Sequence, residues 1–190
     1  MAHPITAKNV NTTPASTARK GRLVLLVTAV ALYWVSLYLY VPTLPVYIQD
    51  KTGDLAVVGG ILSMYGLWQA IARLPVGIAA DWLGQRKPFL IAGFALSGIG
   101  AWVMVSGSGA APLTAGRAIT GLAAATWVPL VVLFSSYFPP EKTVYATSLL
   151  WLVNSLSRML STGLTGWLNA WGGYRLAFLL AMGAAGVAIL

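Results

Sequence analysis

The chain has 190 residues, 58% hydrophobic and 8% charged, with a formal net charge of +8 at pH 7 and a mean hydropathy of +0.77. A soluble domain carries about 25% charged residues, so too little polar surface is available to cover a water-soluble particle, and an all-α polytopic membrane protein is the class that remains. With no cysteine, and a single histidine, His3, in a polar leader, the chain has no disulfide, no thiolate metal site and no Ser/His/Asp or Cys/His set; we expect neither an enzyme nor a metal or cofactor.

Residues 1–20 hold Thr, Ser, Asn, Pro and Lys without an apolar run and read as a flexible tail; residues 21–190 read as the membrane bundle. A spanning helix needs about 20 apolar residues to cross about 30 Å of hydrocarbon. Six segments qualify in chain order: Leu23–Val41, Leu55–Ala80, Pro88–Val105, Leu113–Phe138, Val144–Ala170 and Tyr174–Leu190. The first is too long for a signal-peptide core and reads as retained. Polar or glycine-rich turns separate them: 49–54, 81–87, 106–109, 139–142 and 171–173. Such short turns make successive helices antiparallel neighbours. The last segment begins beside an arginine and ends on Ala-Ile-Leu without a polar flank, so we expect it to be incomplete and the chain to be the front part of a longer protein.

Basic residues set the orientation. With the N-terminus inside, Lys8, Arg19, Lys20, Arg22, Arg86, Lys87 and Lys142 lie inside, and only Lys51 and Arg175 lie outside. The bases sit in loops and tails and form no stripe interleaved with aromatics, so nucleic acid is not a partner. The expected location is the plasma (inner) membrane, multi-pass, with a cytoplasmic N-terminus.

Arg117 and Arg158 fall within apolar segments. A base near the bilayer centre costs about 2.5–3.5 kcal/mol on insertion scales and faces a cavity or an acid. The four acids, Asp50, Asp54, Asp81 and Glu141, all lie in or beside loops. The partners are therefore acids outside this sequence or an anionic solute, and a guanidinium suits either. Around Arg158, Trp151, Asn154, Ser155, Thr162, Thr165 and Asn169 recur at three- and four-residue steps as one polar stripe, which reads as the wall of a water-filled pathway. Tyr33, Gln69 and Trp127 are further pathway candidates. Tyr40 reads as an interfacial anchor and Arg73 as a snorkelling base. Pro75 and Pro129 are expected to interrupt their helices. The third segment, uncharged and carrying Gly93, Ser97 and Ala101, reads as a lipid-facing support.

The stretch Gly77-Ile-Ala-Ala-Asp81-Trp-Leu-Gly84-Gln-Arg86-Lys87 resembles the loop signature joining helices two and three of the major facilitator superfamily, with Trp82 in place of the base that follows the acid. Leu113-x-x-x-Arg117-x-x-x-Gly121 is similar to that family's helix-four motif, and Gly172-Gly173-Tyr174-Arg175-Leu-Ala-Phe178 to the opening of helix six. The resemblance covers residues 23–190 and implies one six-helix half of a twelve-helix transporter working by alternating access, with a second six-helix half as partner. It implies a gating loop of Gly77, Asp81, Gly84, Arg86 and Lys87, with Asp81 docking on the other half; a carboxylate there is also favoured if it faces a helix N-terminus. It implies a small-molecule substrate and coupling to a proton, for instance by symport. The segment 161–166 lacks the Gly-Pro of drug antiporters, and the first helix lacks an acid. These departures count against a drug/proton antiporter; transport of an organic anion competes with efflux of amphipathic compounds, with a six-helix scaffold or sensor as the non-transport alternative.

Overall fold

A computed structural model describes residues 14–190; the first thirteen residues of the expected tail, with His3 and Lys8, lie outside the described residues. The remainder of that tail is already helical, because α1 runs Pro14–Tyr38. The chain continues through a 3₁₀ turn at Val41–Thr43, α2 Leu44–Thr52, α3 Leu55–Leu83, α4 Lys87–Ser106, α5 Ala110–Ala125, α6 Trp127–Ser135, a 3₁₀ turn at Pro140–Lys142 and α7 Thr143–Ile189. Among the described residues, five helical stretches are long and apolar enough to cross a membrane: 20–52, 55–83, 87–106, 110–135 and 140–189.

The last of these breaks at the expected separation, 171–173: Gly172 (φ −135°, ψ 15°) and Gly173 (φ 63°, ψ −177°) leave helical geometry and divide α7 into two helical parts. A positive φ is costly for any residue with a Cβ, so this break is written into the sequence as glycine. The first segment departs from its expected bounds. The short helix α2 occupies residues expected partly in a polar turn. Lys51 Nζ donates to Gly107 O at 2.7 Å, closing the carbonyl end of α4 where a cation is favoured, and Tyr47 Oη donates to Met104 O at 3.2 Å.

The centre of the bundle is α5–α6, which is the most enclosed stretch, whereas α3 is the most exposed. Packing is closest between α1 and α7, α3 and α5, α4 and α5, and α4 and α7. Small residues permit these approaches, as expected where lipid gives no hydrophobic drive between helices. A Cβ on Gly116 would overlap Met104 Cγ, and one on Gly100 would crowd Thr120. Gly93, Ser97 and Ala101 of α4 are buried in the bundle, while Ile91, Ile99 and Trp102 are exposed on the opposite face. The small stripe is therefore the packing face of α4 and its large apolar residues face outward. Ser36 and Ser97 join α1 to α4 by a buried 2.7 Å hydrogen bond.

Pro75 does not interrupt its helix; α3 runs through it. The interruption before Pro129 does occur, at Thr126, whose hydroxyl donates to Ala123 O at 2.7 Å. Pro129 has no N–H to offer the preceding turn, and the resulting irregularity between α5 and α6 receives a side chain from α1, described next.

Candidate functional site

Arg117 and Arg158, both inside the spans, each meet an aromatic ring. The Arg158 guanidinium lies 4.2 Å from the ring centroid of Tyr38 on α1, and that of Arg117 lies 4.6 Å from the ring of Tyr65 on α3. Tyr38 and Tyr65 are themselves neighbours, so α1, α3, α5 and α7 converge on one arginine–tyrosine cluster. Gly121 brings α3 and α5 together at this level, since a Cβ there would press on the Tyr65 backbone. The one ion pair among the described residues is Arg86–Asp81, at the end of α3. Among the described residues, no acid pairs with Arg117 or Arg158.

The two arginines differ in setting. Arg117 is only 6% exposed and its Nε has no hydrogen-bond partner. It is sealed beneath Tyr65, with Tyr40 and Thr120 close by, and does not border an open pathway as expected. A cation–π contact contributes about 0.5–2 kcal/mol, less than the roughly 2.5–3.5 kcal/mol that a base costs at this depth. Arg158 is exposed. Its ring contact uses none of the guanidinium N–H groups as a conventional hydrogen bond, which leaves donors for a second partner.

At about 100° per residue, α7 around Arg158 divides into three arcs. Leu150, Asn154, Ser157, Ser161 and Thr165 are buried against α1. Leu152, Leu156, Met159 and Leu160 form an exposed apolar arc. Trp151, Ser155, Arg158 and Thr162 form an exposed polar arc between them. The single polar stripe read from sequence is therefore two. Asn154 is 2% exposed with Oδ1 unpartnered. Thr165 donates to Leu39 O at 2.7 Å, and Asn169 Nδ2 donates to Thr43 Oγ1 at 2.7 Å, so both tie α7 to the end of α1. Thr162 stays on the open side, with its hydroxyl on the Arg158 carbonyl at 2.9 Å.

Tyr33 does not reach this open side. It is fully buried, donates to Ala123 O at 2.6 Å and packs on Phe94, filling the α5–α6 irregularity. Trp127 is buried too and belongs to an aromatic ladder, Tyr38–Trp34–Trp127–Trp151, with centroid spacings of 5.7, 5.1 and 5.6 Å. Gln69 is half-buried on α3, one turn beyond Tyr65. Tyr65 itself went unread in the sequence, since a lone tyrosine in an apolar run carries no sign of the helix it will face.

In the stretch from Gly77 to Lys87, Gly77 and Asp81 lie in the last turns of α3, and the turn proper begins at Gly84 with φ 61°. Asp81 sits at the C-terminal end of α3, where its own helix dipole disfavours an anion, and its partner Arg86 is the residue that caps the start of α4. Arg86 Nη2 lies 3.1 Å from Asp81 Oδ1, with side chains 31% and 67% exposed respectively. A pair this exposed contributes about 0–1 kcal/mol, so it exchanges readily. Lys87 opens α4 and is exposed. Gly77 lets α3 pass close to Val128 of α6.

Apolar helices of spanning length, small-residue packing and a charged turn between α3 and α4 define an integral, multi-pass helical membrane protein. Residues 26–190 match the Major Facilitator Superfamily, and the chain belongs to that family, whose membership implies a transporter. Among curated proteins, the inner membrane transport protein YajR of Escherichia coli (strain K12) is 28% identical over 95 residues, which cover 50% of this chain and 21% of that relative. The matched region thus spans about a fifth of the relative's length.

Proposed function

We propose that the chain forms one bundle of a secondary active transporter that moves a small organic anion by alternating access. The observation that carries this is Arg158: a guanidinium on the exposed polar arc of α7, steadied by Tyr38, with no acid among the described residues to neutralise it. Thr162 flanks it on the same arc. Arg117 and Tyr65 support it from behind, and Gln69 lies near them; Tyr33, Trp127 and Asn154 shape the wall without touching solute. Efflux of amphipathic compounds competes with this reading, and the cation on the polar arc favours an anion over it. A non-transporting scaffold sits poorly with the family.

Six crossings fit the chain better than five. At 1.5 Å per residue, 47 residues in one straight helix would run about 70 Å, more than twice the hydrocarbon thickness, and α7 breaks instead at Gly172–Gly173 into two parts. The N-terminus is on the cytoplasmic side of the inner membrane, from the distribution of bases. A second bundle completes the site, because transporters of this kind bind at the interface of two repeats. Proton coupling then rests on an acid of that second bundle, and the Asp81–Arg86 turn docks and releases against it.

The test is Arg158→Gln in the full-length protein reconstituted in proteoliposomes. Uptake of benzoate, succinate and inorganic phosphate is compared with wild type at equal insertion. Loss of at least tenfold in one of the three, with normal protein levels, is expected; unchanged kinetics for any anion the wild type carries remove Arg158 from the site.

A further inference from the structure

The anion site has an aromatic floor that the charge alone does not require. Trp151 stands two turns before Arg158 on the same polar arc of α7, about 10 Å away along the axis, and is 55% exposed. It is the open end of the ladder whose other end, Tyr38, lies under the Arg158 guanidinium. Within the ladder, Trp34 is buried, yet its indole N–H has no acceptor. Arginine over a ring keeps N–H donors for a carboxylate, and an exposed indole face takes a second ring by stacking or edge contact.

We propose that the solute is an aromatic carboxylate of arylalkanoate length, its carboxylate on Arg158 and its ring against Trp151. This rests on the anion reading above and narrows it. Aliphatic anions of the same charge reach Arg158 but gain nothing from Trp151. An aromatic contact of about 0.5–1.5 kcal/mol beyond area burial corresponds to a preference of about two- to twelvefold.

The experiment uses the full-length protein in proteoliposomes and two probes matched in charge and size, 3-phenylpropionate and 3-cyclohexylpropionate, with binding affinity measured for wild type, Trp151→Leu, Trp151→Phe and Arg158→Gln. Expected are tighter binding of the phenyl probe by several-fold, loss of that preference in Trp151→Leu, its retention in Trp151→Phe and loss of both probes in Arg158→Gln. Retention in Trp151→Phe also shows that the site is folded. Equal affinity for the two probes in wild type, or a preference that survives Trp151→Leu, overturns the aromatic inference while leaving the anion site standing. Binding of neither probe in wild type, or binding that Arg158→Gln leaves intact, overturns both.

Discussion

Tyrosine hydroxyls and rings perform different tasks inside this bundle, and single substitutions separate them. Tyr33 spends its hydroxyl on Ala123 O, an oxygen that Thr126 also reaches. Tyr33→Phe therefore removes one of two side-chain donors and strands no carbonyl. The expected cost is about 0.5–1.5 kcal/mol of stability, read as a lower unfolding temperature in detergent, with solute affinity unchanged. A change in affinity would place the hydroxyl in the pathway after all. Tyr38 and Tyr65 instead lend their faces to guanidinium groups. The sequence shows that Arg117 and Arg158 are costly where they lie, because depth follows from counting residues along an apolar run. It does not show which is sealed and which is open. That depends on which arc of α5 or α7 meets α3 or α1, a relation between segments far apart in the chain.

At the scale of elements, the run lengths and breakers in the sequence locate most of the helices, because bilayer thickness fixes how long an apolar run must be. Two features escape that logic. Residues 49–54, with Gln, Lys and two Asp, look like a turn, yet 49–52 belong to α2, tied by Lys51 to the end of α4. The Pro75 helix carries on unbroken, whereas the α5–α6 junction opens three residues before Pro129. Burial explains part of the contrast: Pro75 is exposed on α3, while Pro129 is buried at the centre of the bundle. Close packing of α4 on α5 gives the clearest element-level prediction. Gly116→Val would drive methyl groups into Met104 and the Gly100 carbonyl. Overpacking of this kind costs about 1–3 kcal/mol, so the variant is expected to express poorly and unfold earlier, whereas Gly183→Ala, in open space, is expected to be silent in the same assay.

For the molecule as a whole, the family was legible from three short motifs whose order along the chain matches their order in the bundle, and residues 26–190 bear it out. The role of the Asp81 turn belongs to this scale, since a gate acts between bundles. If the turn controls exchange between states, Asp81→Asn slows turnover in the full-length protein more than it weakens solute binding; an equal loss of both would assign the carboxylate to folding or to the solute site.

The Asp81–Arg86 contact is a single 3.1 Å approach in which the acid is two-thirds open to water; if the turn gates exchange, that geometry would make the electrolyte on its side of the bilayer a control. Raising monovalent salt from 0.01 to 0.15 M shortens the screening length from about 30 to about 8 Å. Vesicles loaded with one concentration and bathed in the other should therefore transport at different speeds when the gradient of inert salt is reversed, a directional asymmetry that Asp81→Asn should erase.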